Sequence, residues 1–101
     1  MIRHIVFFNA RNAEDVAKIA EGLAILGDIP HSDFFEVGIN RKVDQLGTDV
    51  DVIVYAEFKD EAALAAYKAH PIYQQAIDRV RPLREMRHAA DFVSSAPSKS
   101  T

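Results

Sequence analysis

Two segments of this sequence are apolar on both faces of a strand, and that restricts what so short a chain can become. In residues 2–8, Ile2, His4, Val6 and Phe8 alternate with Arg3, Ile5 and Phe7. In residues 50–58, Val52, Val54, Ala56 and Phe58 alternate with Asp51, Ile53, Tyr55 and Glu57. A strand solvated on one side alternates apolar with polar residues, whereas a strand apolar on both faces is one that is covered twice. The chain has 101 residues, enough for one domain and too few for two. Its own helices can cover one face of a sheet, so something else must cover the other.

The rest of the pattern supplies those helices. Asn12 is placed to cap a helix over about 13–26, with Glu14 and Asp15 in its first turn. Val16, Ile19, Ala20 and Leu23 form its buried stripe, and Gly27 is its expected stop. Residues 34–41 read as a strand with Phe35, Val37 and Ile39 on one face, and Gly38 within it marks a bulge or a close backbone approach. Residues 43–49 read as a polar hairpin loop. Asp60 caps a second helix that stops near Ala69 or His70, because Pro71 disfavours helical geometry at the residue before it. Tyr73, Ala76, Ile77 and Val80 carry a further helix, which Pro82 ends. In residues 85–93, Met86, His88, Ala90 and Phe92 face one way, and Arg87, Ala89, Asp91 and Val93 the other.

The order strand, helix, strand, strand, helix, strand is that of an α+β ferredoxin-like sandwich, a four-stranded antiparallel sheet with helices on one face. By parity, Ile5, Phe7, Ile53, Tyr55, Ala89 and Val93 occupy the bare face. Leaving that face wet costs about 25 cal/mol per Å² of apolar surface. A second copy packed sheet to sheet removes the cost, so a homodimer through Ile5, Phe7, Ile53 and Tyr55 is expected. Residues 1–93 form the expected domain, and the small, polar residues 94–101 an expected frayed tail.

Composition removes several functions. There is no cysteine, which excludes a disulfide framework, a thiolate zinc site and a cysteine nucleophile. Twelve basic against fifteen acidic residues leave a formal charge of −3, the wrong sign for nonspecific nucleic-acid binding. No apolar run approaches the ~20 residues that span a bilayer. The N-terminus has no signal-peptide pattern, so the cytoplasm is the expected location.

The ordered motifs resemble the stress-responsive A/B barrel (Dabb) family. Residues 3–8 (RHIVFF) are similar to its first strand, where a His precedes an apolar run, and residues 51–58 (DVIVYAEF) to its third strand. Residues 64–71 (LAAYKAHP) match L-x-x-Y-x-x-H-P, and Arg81-Pro82-Leu83 and Ala90-Asp91-Phe92 also correspond. The resemblance implies a dimeric α+β barrel with an apolar pocket between sheet and helices. Most members have no assigned reaction. A few, the plant polyketide cyclases, close aromatic rings without metal or organic cofactor, using a Tyr and a His. Their Tyr corresponds to Tyr67 and their first-strand His to His4. Tyr73 stands where they carry the catalytic His, and Val52 where they carry a His on the third strand.

The resemblance thus implies a homodimeric small-molecule-binding protein with no cofactor and no resident metal. The alternative is a cofactor-independent acid/base enzyme, cyclase-, isomerase- or lyase-like, acting on a small oxygenated or aromatic substrate. A purely architectural subunit is a third reading. For the enzyme, Tyr67 orients or protonates a carbonyl, and His4 or His70 moves the proton. The same residues have structural explanations: Tyr67 as core packing, His4 as a buried paired imidazole, and His70 as the partner of backbone groups freed at the helix break. Tyr73, His88, Val52 and Phe58 are the expected ligand contacts, with His88 sharing the layer of His4. Asp44, Asp49 and Asp51 read as hairpin polarity in preference to a site for a hard cation. Arg79, Arg81, Arg84 and Arg87 form a basic run that a helix C-terminus explains, and that otherwise suits a carboxylate or phosphate.

Overall fold

The computed structural model describes residues 1–95, so the expected tail lies outside the described residues from position 96 onward. Four strands, β1 (Ile2–Ala10), β2 (Phe34–Ile39), β3 (Val52–Phe58) and β4 (Arg84–Val93), form one antiparallel sheet in the order β2-β3-β1-β4. Three helices, α1 (Val16–Ala24), α2 (Glu61–Ala69) and α3 (Pro71–Val80), lie on one face. The Cα atoms span 17 Å in the thin direction, the depth of one sheet and one helical layer.

The core is the seam between those layers. Val6, Phe8, Val52, Val54, Ala56 and Phe58 project from β1 and β3 onto Ile19, Leu23, Leu64, Tyr67, Ala76 and Val80 of the helices, all buried. The register explains this shared face: Ile2 lies opposite Phe58, His4 opposite Ala56 and Val6 opposite Val54. Arg3, Ile5 and Phe7, with Ile53, Tyr55 and Glu57, take the other face, which no helix covers.

β4 departs from the expected parity. His4 pairs with Asp91, Val6 with Ala89 and Phe7 with His88. Arg87, Ala89, Asp91 and Val93 therefore share the helix side, while His88, Ala90 and Phe92 lie on the bare face with Ile5 and Phe7. Ala89 and Val93 are thus corrected off the bare face, and His88 out of the layer of His4. Parity within a strand is readable from sequence, but β1 and β4 are the first and last strands, and their relative phase is set by tertiary pairing.

The ends of α1 also differ from expectation. Asn12 makes no side-chain cap, and the helix begins and ends in 3-10 turns, at Ala13–Asp15 and Ile25–Asp28. Gly27 is not a left-handed stop: a Cβ there would lie 3.1 Å from Cδ1 of Phe35, so the position is small because β2 passes close by. Gly38 sits in an unbroken ladder opposite Ile53, with no bulge, and a Cβ there would meet nothing within 4 Å. Around Pro71 the expectations hold. The Asp60 carboxylate accepts from the Ala63 N–H at 2.9 Å, α2 stops at Ala69, and Pro71 opens α3. In the β2–β3 hairpin, Asp44 accepts from the Leu46 N–H, and Asp51 from the Ala10 N–H at 2.8 Å and from Lys42 Nζ at 2.5 Å. Burial pushes the Asp51 pKa up, but the Lys42 hydrogen bond and charge and the Ala10 N–H together outweigh it and hold the carboxyl below its ordinary value.

α1 and α3 touch at Gly22, where a Cβ would meet Val80 Cγ2 at 2.9 Å. Gly22→Ala should therefore lose about 1–2 kcal/mol in chemical denaturation, despite the better helix propensity of Ala. Gly47→Ala, which meets nothing within 4 Å, should stay within about 0.5 kcal/mol of the parent.

Candidate functional site

Between the sheet and α3 lies a cavity of about 320 Å³, within the range of small-molecule sites. Its floor is apolar, built from Val6, Phe8 and Val54 of the sheet and Leu23, Leu26 and Ile77 of the helical layer. His4, Tyr67 and Tyr73 enter it from β1, α2 and α3, and Arg81, Arg84 and Arg87 from the turn after α3 and from β4.

His4 is 1% exposed, a buried imidazole in an otherwise largely apolar core. Its Nδ1 bonds the Asp91 carboxylate across the β1–β4 pair. A carboxylate accepts, so Nδ1 is the donor of this bond, and Nε2 has no hydrogen-bond partner among the described residues. Phe58 and Tyr67 hold the ring edge-on, each with its centroid 6.1 Å away.

Tyr67 is 1% exposed and packs edge-on against Phe58 at 4.8 Å and Tyr73 at 5.4 Å. Burial raises its phenol pKa well above the ordinary tyrosine value, Tyr73 adds to the rise, and Arg87 opposes it. The hydroxyl is therefore a neutral donor at any physiological pH. Tyr73 is partly exposed and receives a 3.4 Å hydrogen bond from Arg87 Nη2, which ties that arginine to the cavity rim.

Arg81, Arg84 and Arg87 have no carboxylate within 4.0 Å among the described residues. None of the cavity-lining side chains is acidic. Desolvation depresses the Arg84 pKa, and repulsion from Arg87, Arg81 and Arg11 adds to it.

Of the residues singled out from sequence, the structure thus gathers His4, Tyr67 and Tyr73. His70 is not with them: its Nδ1 accepts from the Ile72 N–H at 3.1 Å and caps α3, the structural role open to it at the helix break. His88 lies on the opposite face, exposed, and contacts no cavity. Val52 and Phe58 are 0% exposed and lie beneath the wall; Phe58 braces His4 and Tyr67 but neither residue lines the cavity. Arg79 also stays outside it. Sequence reasoning misses Asp91, because β4 parity assigns it to the face away from His4. Its sequence signal is the Ala90-Asp91-Phe92 match at the end of the domain.

A four-stranded antiparallel sheet with helices on one face and a pocket between the layers defines a ferredoxin-like α+β protein. Residues 2–94 match the Stress responsive A/B Barrel Domain family, and the chain belongs to that family, Dabb. Among solved structures, a Dabb family protein from Mesorhizobium loti with a ferredoxin-like fold is 28% identical (TM-score 0.72), covering 94% of this chain and 97% of its own. Dimeric ferredoxin-like proteins of unknown function from Jannaschia and Thermobifida fusca are each 25% identical. They superpose with TM-scores of 0.80 and 0.78, covering 92% of this chain and 98% and 90% of theirs. No curated protein matches the sequence. Among the described residues, no helix is long and apolar enough to cross a membrane.

The buried phenol generates a pH dependence. Below pH 10, folded and unfolded chains both keep the Tyr67 proton, and its contribution to stability is level. Above that value the unfolded chain releases the proton while the folded one retains it, so stability falls as pH rises. Denaturation midpoints between pH 8 and 11 should decline above pH 10, less steeply in Tyr67→Phe. Tyr55, whose pKa is raised chiefly by its bond to Glu57, keeps part of the slope in that variant.

Proposed function

We propose that this protein is a homodimer that binds a small molecule in the cavity between its sheet and helices. The observation that carries the binding reading is the convergence of Tyr67 and His4, two buried polar groups, on an otherwise apolar cavity of about 320 Å³. Neither the Tyr67 hydroxyl nor His4 Nε2 has a hydrogen-bond partner among the described residues, yet neither is sealed from solvent-sized space. Groups of that kind fix the orientation of a ligand in an apolar site.

The dimer rests on the bare sheet face. Ile5, Phe7, Ile53 and Tyr55 are half-buried there, and Phe34 and Phe92 are 45% and 50% exposed. The dimeric ferredoxin-like neighbours named above support a homodimer. At the centre of the face Tyr55 donates to Glu57 at 2.6 Å, and Arg3 donates to both Tyr55 and Glu57, at 2.6 and 3.2 Å. These polar groups satisfy one another, so they can enter a dimer interface without losing partners.

A second reading, a cofactor-independent acid/base enzyme, is favoured by the His4–Asp91 pair. Asp91 holds the imidazole in the tautomer with a free Nε2, the arrangement of a general base. His4 and Tyr67 pack edge-on against each other and both line the cavity, so one substrate seated there reaches both groups. Tyr67 then donates to a carbonyl oxygen while His4 Nε2 takes the proton from the neighbouring carbon.

Acetophenone, a neutral aromatic ketone, tests both readings in one NMR titration. Amide shifts should cluster at Tyr67, Tyr73 and Ile77, and Tyr67→Phe should weaken binding about three- to tenfold. No shifts at any of these positions, with acetophenone or with the anionic probes below, would remove the ligand reading. Deuterium exchange of its methyl group, faster than in buffer and lost in His4→Gln, would select the enzyme; binding without exchange selects the binding protein. For the assembly, light scattering at micromolar concentration should give twice 11.3 kDa. Ile53→Asp should give the single-chain mass, and a wild-type monomer would overturn the dimer.

A further inference from the structure

The cavity described above accounts for the apolar body of a ligand, but not for the three guanidinium groups at its rim. The chain carries a net charge of −3, so a positive cluster is not the average of its surface. Of its seven arginines, Arg81, Arg84 and Arg87 open onto one cavity whose wall contains no acid. Each has a separate route to the site: Arg81 follows the end of α3, and Arg84 and Arg87 stand on β4, three residues apart. The four ion pairs among the described residues use Arg3, His4, Lys18 and Lys42, and none of these arginines. Arg11 adds to the cluster, its Nε donating to the Arg84 carbonyl at 3.0 Å. Like charges crowded at a partly desolvated rim repel one another, a cost that a bound anion removes.

A helix C-terminus accounts for Arg79, in the last turn of α3, but not for Arg84 and Arg87, which belong to a strand. The 3.4 Å contact between Arg87 Nη2 and the Tyr73 hydroxyl aligns that guanidinium with the aromatic wall. Guanidinium groups match carboxylate and phosphate oxygens in geometry as well as charge.

We infer that the ligand of this site is an amphipathic anion: an apolar body seated against Leu23, Val54 and Ile77, with a carboxylate or phosphate held by Arg81, Arg84 and Arg87. This rests on the reading of the cavity as a ligand site and adds the chemical class of what enters it. The oxyanion lies at the rim, and the opposite end of the molecule reaches Tyr67 and His4 within. A ligand with a carbonyl or hydroxyl at that inner end engages both sets of groups.

Three probes of similar size separate the possibilities: 4-phenylbutyrate, its neutral analogue 4-phenylbutyramide, and phenethyl phosphate. Calorimetric titration of the wild-type protein at low salt should show one or both anions binding at least about tenfold more tightly than the amide. Their relative affinity assigns the oxyanion as carboxylate or phosphate. The double variant Arg84→Gln/Arg87→Gln should weaken the anions at least about tenfold, far more than it changes the amide, and so remove the difference between them. Arg79→Gln, outside the cavity, should alter anion binding by less than about twofold. Thermal melts of the variants confirm that the fold survives, and added salt applied to the wild type gives the same comparison without mutation: anion binding weakens and amide binding does not. Equal affinity for amide and anions would overturn this inference while leaving the ligand cavity intact. Failure of all three probes, together with a failed acetophenone titration, would overturn the cavity itself. Anion binding unaffected by the double variant would place the anion elsewhere on the protein and refute the assignment.

Discussion

β1 runs down the middle of the sheet, hydrogen-bonded to β3 on one side and β4 on the other, and its two registers assign every side chain to a face. From Ile2 to Phe8, even-numbered residues of β1 sit beside even-numbered residues of β3 but odd-numbered residues of β4; the β4 register then shifts, and Ala10 pairs with Arg84. Through the first pairing His4 is enclosed by Phe58 and Tyr67. Through the second it meets Asp91, and Arg87 lies on the same face of β4. A shift of β4 by one residue would carry Asp91, Ala89 and Arg87 to the bare face together, and a buried imidazole would lose its carboxylate.

That register gives the cavity two kinds of polar group with different physics. His4 and Tyr67 are buried: the imidazole is oriented by Asp91, and the phenol stays protonated because burial disfavours its anion. The arginines are at the mouth, where solvent still reaches them, and none has an acidic partner among the described residues. An apolar floor, two oriented polar groups within and a cationic rim form a gradient along which an amphipathic molecule has one favourable direction. The helices close the cavity only along one side of the sheet and leave the face of Ile5, Phe7, Ile53 and Tyr55 uncovered.

Much of this is legible in the residues. The double-faced apolar patterns of residues 2–8 and 50–58 require a layered sheet covered twice. Asp60 and Pro71 punctuate the two helices where the structure has them, because a carboxylate cap and a missing N–H act within a few residues. His4 and Tyr67 stand out in the sequence and do meet in the fold. Asn12, Gly27 and Gly38 mislead for one shared reason: residue type suggests a local backbone role for each. The structure instead uses Gly27 for contact with Phe35, leaves Asn12 without a cap and keeps Gly38 in a regular ladder. Sequence parity places His88 with His4 and Asp91 away from it, because parity does not carry across the turn between α3 and β4. The basic run is visible in the sequence, but its helix-end explanation covers Arg79 and not the three arginines that reach the cavity.

The sequence by itself determined the order and kind of the elements, the apolar faces and the caps, since these follow from periodicity and from side chains acting on their nearest neighbours. Tertiary structure alone decided which strand phase joined which, and therefore that Asp91 would orient His4, that His70 would be spent on capping, and that Arg81, Arg84 and Arg87 would surround one cavity. Those are relations between residues tens of positions apart, set by the register of paired strands and the packing of α3 on the sheet, and no local pattern encodes them.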